Sequence, residues 1–193
     1  RALSTGDSIR DWAREESFAL FPYEADSLEP ASLFKHPALK SFFQPFKDFL
    51  SVRVAYGKTQ VERGLKWYEY SMLFRDRVRR LFAIGIPEIA THNHAILLQR
   101  PFLATQTAPI LCLRSDDLND AHNIIGVLNS SMSLFWLKTV CFNKGAGGEE
   151  ERDRFVYAGG KVQELPIPQA LLAPGLLRER LTALSRACWQ RGQ

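Results

Sequence analysis

Residues 116–141, DDLNDAHNIIGVLNSSMSLFWLKTVC, decide more of the predicted fold than any other stretch of this sequence. Four apolar residues recur at helical spacing and share one face: Leu118, Ala121, Ile125 and Leu128. Asp116 or Asp117 can accept hydrogen bonds from the free amides of the first turn. Asn129-Ser130 interrupts the pattern and can begin a second helix, which carries Met132, Phe135, Trp136 and Val140. The stretch therefore predicts two consecutive helices.

Short apolar runs on either side of this block predict strands. They lie at residues 18–23, 81–86, 95–99, 108–113 and 155–157. Their weak alternation of apolar and polar residues indicates that at least one strand is covered on both faces. Strands and helices interspersed in this way predict a mixed α/β (α+β) fold, with a small curved mixed sheet flanked by helices.

Two more helical segments complete the predicted fold. Residues 39–50 place several phenylalanines on one helical face, which we interpret as core. Pro45 lies within this pattern and predicts a kink or two short helices, because proline has no backbone N–H. Residues 174–190 predict a helix with a seam of Leu177, Leu181, Leu184 and Cys188, which must dock on its own domain or on a neighbouring one. We expect a domain at 1–168 and a C-terminal spacer or docking helix at 169–193.

The composition is that of a globular protein. The 193 residues are 46% hydrophobic and 24% charged, which excludes a disordered or low-complexity chain. Three widely spaced cysteines argue against a disulfide scaffold and favour the reducing cytoplasm. No apolar run approaches the roughly 18 residues of a membrane span, so we expect no membrane partner. The sequence begins with Arg1, and we expect it to be part of a larger protein.

Cationic residues are concentrated between residues 53 and 80. The chain has 25 Lys and Arg against 21 Asp and Glu, a net charge of +4. Aromatic residues such as Tyr56, Trp67 and Tyr70 are interleaved with these cations. This pattern suits a polyanion that carries stacking bases, or alternatively a solvated basic face beside a core.

Common phosphate and dinucleotide motifs are incomplete in this sequence. Gly57-Lys58-Thr59 resembles the end of a phosphate-binding loop, but Val52 stands where the first glycine is needed. Gly145-x-Gly147 lacks the third glycine of a dinucleotide fingerprint, because Glu150 occupies that place.

Two groups of potential ligands also receive a structural interpretation. His92 and His94 could share one face of a strand and hold zinc, but no neighbouring residue supplies a third ligand. We interpret them as polar turn residues and expect no metal. Glu149, Glu150 and Glu151 form a carboxylate run that we interpret as a solvated loop.

Seven short motifs follow one another along nearly the whole chain. They are Gly6-Asp-Ser-Ile-Arg-Asp-Trp12, Phe18-Ala-Leu-Phe-Pro-Tyr23, Phe49-Leu-Ser-Val-Arg53, Lys66-Trp-Tyr-Glu69, Ile86-Pro-Glu-Ile-Ala90, Ile125-Gly-Val-Leu-Asn-Ser130 and Leu165-Pro-Ile-Pro168. In this order they resemble the target recognition domain of adenine-specific DNA methyltransferases from restriction–modification and phage-exclusion systems. The family usually has a lysine just before the Glu-Ile strand. This chain has Arg80-Leu-Phe-Ala-Ile84 there, and Arg79 or Arg80 could replace the lysine by charge but not by geometry.

The resemblance implies a DNA-binding role for this chain and a catalytic role for another domain of the same protein. The parent would transfer a methyl group from S-adenosylmethionine to N6 of adenine, and could also be an endonuclease. The Asn/Asp-Pro-Pro-Tyr/Phe motif that holds the flipped adenine is missing here, as is a glycine-rich S-adenosylmethionine loop. We therefore expect no enzyme activity and no cofactor in this fragment, with double-stranded DNA and the catalytic domain as its partners.

Thirteen residues are candidates for DNA contact. Phosphate contacts are predicted for Lys58, Arg63, Lys66, Arg75, Arg79 and Arg80. Base contacts are predicted for Gln60, Arg63, Asn143, Lys144, Arg152 and Arg154. Trp67 and Tyr68 are either stacking groups or core residues. No catalytic residue is predicted.

Two other function classes stay open. One is a protein-interaction or scaffold domain of a larger assembly, which the C-terminal seam and the aromatic clusters would serve. The other is a small enzyme domain whose site has no recognised motif. Salt-dependent binding to duplex DNA separates the first class from DNA recognition, because a protein interface need not release counterions.

Overall fold

A computed structural model describes residues 1–145 and 152–192 of the chain. It divides into two compact units. The larger unit comprises Arg1–Ala19 and Arg77–Gln193, and the smaller unit comprises Leu20–Asp76. In the described residues, no helix combines the length and the apolar character needed to cross a membrane.

Short strands of the larger unit form small sheets. The strands are β1 (Ala2–Ser4), β2 (Ile9–Arg10), β3 (Ala13–Arg14), β6 (Phe82–Gly85), β7 (Ile89–Ala90), β8 (Ile96–Gln99), β9 (Phe102–Ala104), β10 (Ile110–Leu111), β11 (Phe142–Gly145) and β12 (Arg154–Val156). The two three-stranded sheets have the orders β10-β6-β8 and β11-β12-β7 and are antiparallel. β1 pairs with β9 in parallel, and β2 pairs with β3 as a hairpin. All four residues of β6 are buried, which confirms the prediction of a strand covered on both faces.

Helices of the larger unit pack against these sheets. They are α4 (Leu118–Leu128), α5 (Ser131–Val140), α6 (Gly159–Gln163), α7 (Gln169–Leu172) and α8 (Leu176–Arg191). The Asp117 carboxylate accepts from Asn119 N at 2.8 Å, and Ser130 Oγ accepts from Ser133 N at 3.2 Å, so both predicted caps are confirmed. The mixed α/β class is confirmed as well, although the predicted single sheet is divided into several small ones.

The docking face of α8 differs from the predicted leucine seam. Leu177, Leu184 and Cys188 are exposed, whereas Leu181 and Ser185 contact α4 at Gly126. Gly126 has no side chain, so the two helices approach closely there and the Leu181 and Ser185 side chains of α8 occupy the space. The predicted seam is therefore wrong except at Leu181.

The smaller unit contains α1 (Pro37–Phe43), α2 (Lys47–Ser51), β4 (Val54–Ala55) and β5 (Lys58–Thr59). A 3-10 turn at Gln44–Phe46 separates the two helices, which confirms the interruption predicted at Pro45. The helix α3 (Arg75–Val78) lies where the chain passes from the smaller unit to the larger one.

Two predictions about residues 18–50 are wrong. The phenylalanine face of residues 39–50 is largely exposed, and Phe49 has 73% of its surface accessible. The core of the smaller unit is formed instead by side chains such as Tyr23, Leu28 and Tyr68. The predicted strand at 18–23 is reduced to isolated bridges at Phe18 and Tyr23, because Pro22 cannot donate to a ladder.

Candidate functional site

The thirteen candidate residues are distributed over both units. The smaller unit holds Lys58, Gln60, Arg63, Lys66, Trp67, Tyr68 and Arg75. The larger unit holds Arg79, Arg80, Asn143, Lys144, Arg152 and Arg154.

The β4–β5 hairpin presents an aromatic ring beside a cation. Tyr56 and Gly57 form its turn with φ angles of 55° and 74°, in the left-handed region that glycine adopts without strain. The Tyr56 side chain is 81% exposed, and the Arg63 guanidinium lies 5.7 Å from the centre of its ring. Lys58 is exposed on β5. Tyr56 was not among the candidate residues, although the Tyr-Gly turn placed it at a hairpin tip.

Gln60 has a structural position that corrects its predicted base-reading role. Its side chain is fully buried, Nε2 donates to Glu69 O at 2.9 Å, and Oε1 accepts from Ser71 Oγ at 3.2 Å. Arg53 supports the same segment, because its Nη2 donates to Trp67 O and to Glu69 O. These two side chains hold residues 67–69 against the hairpin, and the Gln60 amide cannot reach a base in this conformation.

The Lys66-Trp67-Tyr68-Glu69 segment is mainly an anchor. Tyr68 is buried and its hydroxyl donates to Ala31 O at 2.7 Å, which agrees with the core alternative for this residue and not with a stacking group. Trp67 is half-buried and packs edge-on against Phe43. Lys66 is exposed, with Nζ 6.0 Å from the centre of the Tyr68 ring.

The arginines around α3 make ion pairs at the surface. Arg75 Nη1 lies 3.1 Å from Glu29 Oε1, and Arg80 Nη1 lies 3.5 Å from Asp116 Oδ1. Arg79 is exposed. Exposed pairs of this kind contribute at most about 1 kcal/mol, so a phosphate group can compete for these guanidinium groups.

The β11–β12 hairpin carries the remaining candidates. Lys144, Arg152 and Arg154 are exposed. The Asn143 side chain is engaged within the hairpin: Oδ1 accepts from Gly145 N, and Nδ2 donates to Asp153 Oδ2, both at 2.6 Å. A base contact by Asn143 would have to replace one of these bonds. Gly147, Gly148 and the carboxylate run 149–151 of this loop lie outside the described residues.

Asp11, His92 and His94 form a cluster that sequence analysis missed. The turn between β2 and β3 places the Asp11 carboxylate 3.2 Å from His94 Nδ1 and 3.6 Å from His92 Nε2. Burial lowers the pKa of His94, and the neighbouring His92 lowers it further, whereas the Asp11 carboxylate raises it. The statement that no third ligand lies near the two histidines is therefore wrong, since Asp11 supplies one. Asp11 lies 83 residues before His94, so no local signal could have paired them.

A cleft opens beside this cluster and has a volume of about 220 Å³. Its lining includes Trp12, Asn129 and Ser131. The Asn129 amide bonds both backbone groups of Ala95, accepting from the N–H at 2.7 Å and donating to the carbonyl at 2.9 Å. The junction between α4 and α5 thereby holds the segment that carries the two histidines.

The comparisons with known proteins agree with the family resemblance at a coarse level. No family model matches the chain. The chain is 31% identical over 207 residues to the adenine-specific methyltransferase PglX of Streptomyces coelicolor. It is similar to one part of an adenine-specific methyltransferase. The match covers 97% of this chain but 17% of the length of PglX.

Proposed function

We propose that this chain is the DNA target recognition domain of an adenine-specific DNA methyltransferase. The observation that carries the proposal is the similarity of 97% of the chain to a segment that makes up 17% of such an enzyme. A segment of that size leaves most of the enzyme for the catalytic domain. The seven ordered motifs support the narrower assignment to target recognition, as does the missing Asn/Asp-Pro-Pro-Tyr/Phe motif in these 193 residues.

In this proposal the smaller unit contributes phosphate contacts. Lys58 and Lys66 are exposed, and Arg63 lies beside the exposed Tyr56 ring. Lysine and arginine on a surface bind phosphates and release counterions, and an exposed aromatic ring can stack on an unpaired base. Gln60 has no part in this contact, because its buried amide supports the hairpin from beneath.

The β11–β12 hairpin is assigned to base reading. Its three cations, Lys144, Arg152 and Arg154, occur with four carboxylates between Gly145 and Arg154. This mixture of charges is poorly suited to a run of phosphates. It is suited to base edges in the major groove, where arginine reads guanine and carboxylates accept from cytosine.

Catalysis belongs to a separate domain of the parent protein in this proposal. That domain would bind S-adenosylmethionine and receive the flipped adenine, and the role of this chain is to bind the duplex and position the target base. The parent would act in the cytoplasm as part of a restriction–modification or phage-defence system.

A second candidate function is favoured by the exposed phenylalanines of the smaller unit. Phe34, Phe42, Phe46 and Phe49 are all more than half exposed. Exposed apolar patches mark protein interfaces, so this surface favours a scaffold role. The two functions are compatible if the patch contacts the rest of the parent enzyme.

Two experiments test the proposal. First, the 193-residue chain is titrated with random-sequence duplex DNA over a series of salt concentrations. We expect micromolar affinity that falls steeply with salt, weakened by Arg63→Ala and Lys58→Ala but not by Arg180→Ala, an exposed control on α8. Binding that ignores salt, or that all three variants retain equally, would contradict these assignments.

Second, this segment is exchanged for the corresponding segment of another methyltransferase of the same kind. We expect the methylated sequence, read by sequencing of modified bases, to follow the exchanged segment. A methylated sequence that stays with the catalytic domain would exclude target recognition and leave the scaffold function.

A further inference from the structure

The Asp11–His92–His94 cluster has the ligand types of a transition-metal site. It consists of two imidazoles and one carboxylate, whose ligand atoms all lie within 4.8 Å of one another. Imidazole and carboxylate oxygen are ligands of zinc, whereas calcium and magnesium are bound by oxygen atoms.

The distances within the cluster agree with tetrahedral coordination. Zinc is bound at about 2.0–2.1 Å, and the tetrahedral angle then sets roughly 3.3 Å between neighbouring ligand atoms. Asp11 Oδ1 lies 3.2 Å from His94 Nδ1 and 3.6 Å from His92 Nε2. Two edges of the tetrahedron are therefore already formed within a few tenths of an ångström.

His94 Nδ1 lies close to two groups of Asp11. Its Nδ1 accepts from Asp11 N at 3.1 Å and also faces Asp11 Oδ1 at 3.2 Å. An imidazole nitrogen is either a donor or an acceptor. If it accepts the amide proton, its lone pair faces the carboxylate, and if it is protonated, its N–H can donate to the carboxylate while it also faces the amide N–H. A cation bound by both the Nδ1 lone pair and the carboxylate would remove the repulsion between these two groups. The Asp11 amide would then donate to another acceptor.

Neighbouring side chains orient the histidines for metal binding. Thr91 Oγ1 lies 2.9 Å from His92 Nδ1, which leaves Nε2 directed towards Asp11. Asn93 Nδ2 donates to Ser130 O at 3.1 Å, on one side of His94, and Ala95 is held by Asn129 on the other. Metal-binding histidines usually have a partner on the second nitrogen, and Thr91 is in that position for His92.

The turn that carries Asp11 is itself strained. Asp11 and Trp12 have φ angles of 38° and 71°, and the left-handed region disfavours a residue as bulky as tryptophan. This turn conformation directs the Asp11 carboxylate to the histidines. The Arg10 guanidinium is held by Gly6 O and Ile9 O. Strained non-glycine residues of this kind are concentrated at functional sites.

We propose that Asp11, His92 and His94 bind one zinc ion, with a water molecule from the adjoining cleft as the fourth ligand. The metal would join the β2–β3 hairpin to the segment before β8. It would therefore stabilise the larger unit whether or not the chain binds DNA. The proposal rests on the cluster alone and does not depend on the proposed function.

Metal titration of the 193-residue chain tests this site. The chain is stripped with a chelator, then titrated with Co²⁺ and Zn²⁺ and, in parallel, with Mg²⁺. We expect one equivalent of Co²⁺ to give the visible absorption of a four-coordinate complex and Zn²⁺ to displace it. We also expect Zn²⁺, but not Mg²⁺, to raise the melting temperature. Absence of stoichiometric Co²⁺ and Zn²⁺ binding would overturn the proposal.

Variants connect the binding to the cluster. Asp11→Asn removes the carboxylate but keeps a residue that tolerates the left-handed turn. His92→Ala changes an exposed side chain and leaves the fold intact. Each is expected to weaken Zn²⁺ binding by at least about 100-fold, since even loss of a residue that only orients a ligand costs 10- to 100-fold. His36→Ala, in the smaller unit, is the matched control and should bind normally. Wild-type affinity in both cluster variants would show that the metal binds elsewhere and would refute the site.

Discussion

Replacement of Asn129 by alanine tests how the larger unit is held together. The Asn129 amide accepts from the backbone N–H of Ala95 and donates to its carbonyl oxygen. Ala95 is 1% exposed, so its backbone groups depend mainly on the Asn129 amide for hydrogen bonds. Leaving a buried polar group unpaired costs about 1–3 kcal/mol, and two such groups are affected. We expect Asn129→Ala to lower the free energy of unfolding by about 2–4 kcal/mol, less than the sum because the site can relax.

Urea denaturation followed by circular dichroism measures this loss. With a slope of roughly 2–3 kcal/mol per molar urea, the midpoint should fall by about 1 M. Asn119→Ala is the control on the same helix, because its exposed amide accepts a single bond from Arg186. The control should change stability by less than about 0.5 kcal/mol. If Asn129→Ala lowers the free energy of unfolding no more than Asn119→Ala does, the two hydrogen bonds between Asn129 and Ala95 do not stabilise the protein.

Three further predictions concern packing, the smaller unit and pH. Gly126→Ala places a methyl group 2.9 Å from Leu181 Cδ1, so we expect overpacking to lower the free energy of unfolding by about 1–3 kcal/mol. The higher helix propensity of alanine offsets up to about 1 kcal/mol of this loss, and urea denaturation measures the net change. Gln60→Ala should lower the free energy of unfolding of the smaller unit by about 1–3 kcal/mol and should not change which bases the chain prefers. Lys58→Ala should leave stability unchanged and reduce the slope of log affinity against log salt concentration by about 1. Burial lowers the pKa of His122 below 6.5, so the unfolded state binds the proton first and stability should fall as the pH drops below that value.

Controls distinguish these effects from general damage. Gly160→Ala adds a methyl group where no atom lies within 4 Å, so a loss equal to that of Gly126→Ala would contradict the packing argument. For His122, urea midpoints at several pH values are compared with those of His122→Leu, which keeps the other three histidines. If the difference in midpoint stays constant between pH 7 and 5, protonation of His122 is not responsible for the loss.

Local chemistry explains what could be predicted from the sequence. The caps at Asp117 and Ser130 and the break at Pro45 depend on a few neighbouring residues, and the structure contains all three. The resemblance to methyltransferases also depended on short motifs in order, and the similarity to PglX agrees with it at the level of the enzyme class.

Burial and long-range contacts explain what could not be predicted. An apolar helical face does not show by itself whether another element covers it. No described residue buries Phe49, which is 73% exposed. The sequence around Gln60 predicts a polar loop residue, but the structure buries its amide, which donates to Glu69 O. Asp11 contacts His94, which lies 83 residues later in the chain. The contact depends on a turn in which Trp12 has a left-handed backbone conformation, and tryptophan is not a residue that predicts such a turn.

In the smaller unit, the residues that support the surface are different from the residues that are exposed on it. Arg53 and Gln60 both donate to Glu69 O, and this shared acceptor ties the hairpin to the 67–69 segment. Lys58 and Lys66 project from the same framework and are exposed. Exposed side chains on a supported hairpin can be exchanged at little cost in stability, whereas the buried donors cannot. In the proposed function Lys58 and Lys66 contact phosphates, so the buried position of Gln60 agrees better with a unit that binds the duplex backbone than its predicted base-reading role did.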